Sequence, residues 1–314
     1  MDVVTVGEAL GVFTPSPSGA LRPGMPAQFA VGGAELNVAV GLSRLGHRSA
    51  WVGNIGDDAA GRAVRWVLRS EAVEHSRVRV EPTAATGIYI KETVGLGRLQ
   101  VSYHRSGSAA SRLAVSDADL EHLLSGQVLH LTGITPMLSS TAEDLVQLLL
   151  SMAIERGVTV SFDANVRHRL LQDRTAAQYL ERFLAESDLL FLSAEEAREL
   201  LGVHSPAEAS ERRKELRAQV LVIHDADGAY AVDEDGVTTV AARVLHVVDP
   251  VGAGDAFVAG YLSGHLRRWP VRDCLRMAEV CAANVITVPG DHEGFPSEAQ
   301  ALAQLGLAPG REER

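Results

Sequence analysis

The chain has 314 residues, 46% hydrophobic and 22% charged, enough for a sizeable core in one large or two ordinary domains and unlike a disordered segment. A net charge of -11 argues against a nucleic-acid partner or an anionic membrane surface, though not against a small anionic substrate, for which local charge decides. With no basic stretch leading into an apolar run and no span of about 18 apolar residues, a cytoplasmic location is expected.

In chain order, Val3 to Val6 reads as a buried parallel strand ending at Gly7-Glu8. No G-x-G-x-x-G follows, so a dinucleotide-binding opening is disfavoured. Residues 14 to 26, rich in Pro, Gly and Ser, read as irregular. Gly32-Gly33 is a close-approach turn before a helix of small and apolar residues that Gly46 closes. Trp51 to Ile55 reads as a strand and Ala59 to Ser70 as an amphipathic helix, the alternation of a parallel α/β fold. The pattern then breaks. Thr86 to Glu92 and Arg98 to Arg105 look extended, with Gly95 and Gly97 between them, which suggests a β-hairpin in a separate small layer. Tyr103 and Arg105, two apart, share one strand face; they are either a carboxylate-binding surface or a solvated edge.

Val128 to Thr132 reads as a strand, and Ala142 to Arg156 as a helix with Leu145, Leu148 and Leu149 on one face. The strand Val158 to Phe162 ends in Asp163-Ala164-Asn165-Val166-Arg167, polar residues where open α/β sheets bind ligands. Asp188 to Leu192 leads into Ser193 and Glu196, spaced as a capping box. Gln219 to Ile223 precedes His224-Asp225-Ala226-Asp227-Gly228, and residues 229 to 247 suggest an antiparallel meander. Val271 to Val288 reads as a helix with Ala278, Cys281, Ala282 and Val285 on its apolar side; Cys274 and Cys281 read as core thiols in a reducing compartment. The eleven His residues show no zinc spacing, so no protein-bound transition metal is expected.

The stretch Asp249 to Phe257 organises the rest. A β-type run, Val244 to Val248, leads into Gly252-Ala253-Gly254-Asp255 and a helix carrying Phe257, Tyr261 and His265 at four-residue spacing. A glycine turn opening a helix presents unpaired N–H groups at the positive end of the helix dipole, which is an anion site. A carboxylate beside it can deprotonate a hydroxyl while the N–H groups stabilise a transferred phosphoryl group.

These residues resemble the second signature of the ribokinase-type (phosphofructokinase B) carbohydrate kinases, and Phe29 to Gly46 resembles the first. The resemblance implies a ribokinase-like, doubly wound, mostly parallel α/β fold flanked by helices. Residues 1–10, 31–84 and 108–314 would form the catalytic domain, and 11–30 with 85–107 a discontinuous β-lid that covers the sugar and often mediates dimerisation. It also implies ATP and Mg²⁺ as cofactors, a small sugar as substrate, and a homo-oligomer. Gly252, Ala253 and Gly254 would form the anion hole, with Asp255 as catalytic base.

Blocks at Gly32–Asn37, Tyr103–Ala109, Thr132–Pro136, Asp163–Arg167 and Gly290–Gly294 look like 2-keto-3-deoxygluconate kinases. Sugar contacts are then implied for Gly33, Asn37, Tyr89, Tyr103, Arg105, Ile134, Arg167 and Asp255. Nucleotide contacts are implied for Ser193, His224, Gly228, Gly254 and Asn284, and a water-mediated metal contact for Glu196. Two arginines suit a carboxylate better than a neutral sugar. The implied reaction is ATP-dependent phosphorylation of a sugar acid at its terminal hydroxyl; fructose phosphorylation, or sugar binding without nucleotide, are the alternatives. One block departs. Where those kinases carry a basic loop, this chain has Asp225 and Asp227. Like charges about 4 Å from a phosphate would cost several kcal/mol at an effective dielectric near 20, so weakened ATP binding is expected.

Overall fold

The computed structural model describes residues 1–95, 98–171, 173–243 and 246–307. The strands are β1 Val3–Val6, β2 Leu10–Pro15, β3 Ala27–Gly32, β4 Ser49–Val52, β5 Asn54–Gly56, β6 Arg79–Glu81 and β7 Gly87–Val94. They continue with β8 Arg98–His104, β9 Val128–Thr132, β10 Thr159–Asp163, β11 Leu189–Ser193, β12 Val220–Asp225, β13 Gly228–Val232 and β14 Val237–Ala241. The helices are α1 Ala34–Arg44, α2 Ala59–Ser70, α3 Asp117–Leu123, α4 Ser140–Arg156 and α5 Ala176–Glu186. After them come α6 Ala194–Leu201, α7 Pro206–Arg213, α8 Ala253–Leu266, α9 Val271–Val285 and α10 Glu298–Leu305.

One sheet runs β14-β13-β12-β11-β10-β9-β1-β4, parallel from β12 to β4 and antiparallel at the β13–β14 edge. Its parallel strands are buried on both faces, which explains their continuous apolar runs. Val4, Val6, Leu129 and Phe162 join a layer with α4 and α5, while Val3, Val128 and Phe191 join α1, α8 and α9 on the other side. A second sheet, β3-β2-β7-β8, stands apart, as the hairpin pattern predicts. The described residues contain no helix long and apolar enough to cross a membrane.

Several expectations are corrected. Trp51 to Ile55 is not one strand: the chain leaves the main sheet after Val52, and Asn54 to Gly56 pair with β6. The β-type run before the anion turn is not a strand at residues 246–248, and Val247 and Val248 are about half exposed; Val244 and Leu245 lie outside the described residues, as does Gly97 of the hairpin turn. Leu148 faces solvent, while Leu145 and Leu149 are buried, because the buried stripe of α4 follows the i, i+4 step. The last long helix ends at Val285, three residues early.

Candidate active site

Asp163 and Ser193, the last residues of β10 and β11, and His224, near the end of β12, open on one cavity of about 380 Å³. This is the carboxyl edge of the parallel sheet. Two helix N-termini converge on it. Gly33 precedes α1 at φ 143, where an added Cβ would sit 2.2 Å from the Glu8 carbonyl oxygen, so no other residue fits. Gly252 precedes α8 in the left-handed region, φ 81. Among the described residues, the N–H groups of Gly254 and Asp255 have no backbone acceptor, and they lie at the positive end of the α8 dipole.

The two helix starts are tied by one hydrogen bond: Asn37 Nδ2 donates to Asp255 Oδ2 at 2.7 Å. Asn37 is itself fixed by its N–H to the Gly33 carbonyl at 2.7 Å. Burial pushes the Asp255 carboxyl up to about 6, while the Asn37 amide and the Arg167 charge pull it back. Asp163 is also raised by burial, then by the charges of Glu196 and Asp255. Burial raises Glu35, the first-turn acid of α1, although the hydroxyls of Thr132 and Thr135 both donate to its Oε1 at 2.6 Å. His224 is lowered by burial and stacks on Phe257 with centroids 4.7 Å apart. The site therefore holds a buried carboxylate beside unpaired N–H groups, and the carboxylate is ionised at neutral pH.

The arginines differ. Arg105 Nη1 donates to Glu8 Oε2 at 2.8 Å with both side chains buried, and its guanidinium lies 4.5 Å from the Tyr103 ring centroid. The pairing neutralises much of its charge. Arg167 lines the same cavity and, among the described residues, makes no side-chain hydrogen bond or ion pair. Tyr89, Tyr103 and Ile134 complete the wall, and Gly33, Asn37, Arg105, Arg167, Ser193, Glu196, His224 and Gly252 to Asp255 all line it. Two predicted nucleotide residues do not. Gly228 lies in the β12–β13 hairpin, against the Val240 carbonyl oxygen. Asn284 bonds the Val280 carbonyl oxygen and Gln304. Sequence reasoning missed Glu8, Glu35 and Asp291, which also line the cavity. Glu35, an acid inside an otherwise small and apolar helix, was the signal available.

Residues 2–298 match the family model for pfkB family carbohydrate kinases. The chain belongs to that family. It is 33% identical over 310 residues to a 2-dehydro-3-deoxygluconokinase of Bacillus subtilis (strain 168), covering 97% of this chain and 95% of the relative. It is 35% identical over 310 residues to a 2-dehydro-3-deoxygluconokinase of Thermoproteus tenax, covering 96% and 93%. The crystal structure of a 2-dehydro-3-deoxygluconokinase from Thermotoga maritima superposes with a TM-score of 0.89 at 26% identity, covering 96% of this chain and 97% of that one. The fold is thus ribokinase-like and the chain a carbohydrate kinase.

For a carbohydrate kinase the acid set bears on metal binding. Both Glu196 oxygens are taken, Oε2 by the Ser193 N–H at 2.8 Å and Oε1 by the Val166 N–H at 2.6 Å. Glu196 therefore closes the expected capping box. No group of three or more metal-ligating side chains occurs among the described residues. These residues do not build a protein-held metal cage.

Asp225 and Asp227 are exposed at the β12–β13 hairpin tip, and Asp225 Oδ1 accepts the Asp227 N–H at 2.8 Å. Exposed charges act at a distance and are screened by salt. The double change Asp225→Arg, Asp227→Lys should tighten ATP about tenfold at low salt, ~1.4 kcal/mol. Titration calorimetry at fixed Mg²⁺ checks this; unchanged affinity at low salt would mean the loop is neutral toward nucleotide.

Proposed function

We propose that this kinase transfers the γ-phosphoryl group of ATP to the terminal hydroxyl of a sugar acid, 2-keto-3-deoxygluconate (2-dehydro-3-deoxygluconate). The observation that carries the acid is Arg167: a guanidinium on the cavity wall that, among the described residues, forms no direct ion pair. The names of the relatives point the same way. Asp255 takes the hydroxyl proton, and the N–H groups of Gly254 and Asp255 hold the charge on the phosphoryl oxygens. Gly33 and Asn37 hold the sugar hydroxyls, and Tyr89, Tyr103 and Ile134 enclose the chain of the substrate. Ser193 and His224, on the cavity wall, serve the nucleotide. Bound to the triphosphate, Mg²⁺ would offset part of its charge. Residues 11–30 and 85–107 act as the lid; Leu21 and Phe29, exposed on it, suit a lid-to-lid dimer.

Arg167→Ala should raise KM for the sugar acid at least about tenfold and leave KM for a neutral ketose nearly unchanged, since a charge-assisted hydrogen bond contributes roughly 1.5–3 kcal/mol. Arg105→Ala should raise the same KM and also lower the thermal midpoint, because it strands Glu8 as a buried, unpaired acid. Steady-state kinetics on both sugars check this; equal losses on acid and ketose would refute the carboxylate assignment.

A further inference from the structure

Strand β7 turns its polar residues inward. Tyr89 and Lys91 are 3% exposed, while Ile88 and Ile90, which alternate with them, are only half-buried. Lys91 Nζ donates to Asp249 Oδ2 at 2.6 Å and to Asp291 Oδ1 at 3.4 Å. The Tyr89 hydroxyl donates to the Asp291 carboxylate at 2.6 Å. These two acids bracket the anion turn. Asp249 Oδ1 accepts the Val251 N–H at 3.2 Å, and its Oδ2 accepts the Gly290 N–H at 3.1 Å. The Asp291 carbonyl oxygen packs so closely on Gly252 that a Cβ there would lie 2.0 Å from it.

We propose that Lys91 is a positioning residue for phosphoryl transfer: its ammonium, carried on the lid sheet, holds Asp249 and Asp291 together and so fixes the turn from Val251 to Gly254. Without that cation, two buried carboxylates would face each other, and one must take up a proton or move away. Either change shifts acceptors that hold the Val251 and Gly290 amides. A displacement near 1 Å at such a site lowers turnover roughly 10²-fold. The sugar-covering sheet and the phosphate turn are then one body, and an ordered lid favours an ordered turn. The inference rests on the carbohydrate-kinase reading and is independent of which sugar is used.

Lys91→Ala opens space for a small cation and supports chemical rescue. We expect kcat to fall roughly 10²-fold with sugar KM changed less than about threefold, and ethylammonium to restore at least about tenfold of the loss while ethanol restores none. A lysine that only fastens the lid would give the opposite split: raised sugar KM, unchanged kcat and no rescue. Such a result, or a folded Lys91→Ala with kcat within about twofold of wild type, overturns the proposal. Should the alanine variant not fold, Lys91→Met fills the space without charge; lost kcat at unchanged sugar KM supports the proposal, and retained kcat overturns it. Failure of the kinase reading shows separately, as a wild-type protein that phosphorylates no sugar at all.

Discussion

Asp255→Asn should lower kcat by roughly 10²–10⁴-fold while leaving sugar affinity nearly unchanged. The side chain is isosteric, and its bond to Asn37 can be kept through Oδ1. What is lost is the proton acceptor. In the wild type that acceptor is held at about 6 by burial, so kcat/KM should rise with pH through about 6 and level off above it. The stability sign is opposite. The folded value lies above the ordinary 3.8, so the stability due to neutral Asp255 is complete below pH 3.8 and lost as pH rises through about 6. About two pK units correspond to ~3 kcal/mol at neutral pH. The Asn variant, which cannot ionise, should melt higher than wild type at pH 7.5, and the gap should close toward pH 4. A variant with more than about a tenth of wild-type kcat would remove Asp255 as general base.

Gly252→Ala and Gly254→Ala should both lose roughly 10²–10³-fold in kcat, the loss typical of a damaged oxyanion hole, but for different reasons. At Gly252 the backbone is left-handed and the new methyl would lie 2.0 Å from the Asp291 carbonyl oxygen, so the turn itself must shift and the fold lose stability. At Gly254 the nearest atom to the new methyl is His224 Cε1 at 3.9 Å, so the helix accepts it. Alanine is also the better helix former by about 1 kcal/mol. The methyl would instead stand in the cavity where the phosphoryl group must approach the N–H groups. Thermal melts with initial rates separate the two: Gly252→Ala melts low, Gly254→Ala melts at or above wild type, and both are slow. A fast Gly254→Ala would place the phosphoryl group elsewhere.

The parts of the site that were legible are those whose chemistry is local in sequence. The glycine turns before α1 and α8, and the polar residues closing β10, lie within a few residues of the elements that position them. The capping box at Ser193 and Glu196 is of the same kind. What stayed hidden was long-range pairing. Arg105 was expected to hold the substrate carboxylate, but Glu8, 97 residues away, pairs with it. Lys91 is one charge within the extended segment Thr86 to Glu92 until the fold sets it beside Asp249, 158 residues on. Val247 and Val248 have strand composition, yet among the described residues no strand pairs with them, and they stay about half exposed. Composition reports what a segment prefers; partners from distant segments decide what it meets.

The central claim is transfer of a phosphoryl group to the terminal hydroxyl of a sugar acid, with a carboxylate read by Arg167. It is tested most directly by ADP release from the wild-type protein with ATP and Mg²⁺ over a panel of 2-keto-3-deoxygluconate, fructose and ribose, with the product's phosphate located by ³¹P NMR. The account predicts a kcat/KM at least about tenfold higher for the acid than for either neutral sugar, and phosphate on the terminal carbon. Equal or better turnover of fructose or ribose, or phosphate at another hydroxyl, would contradict it.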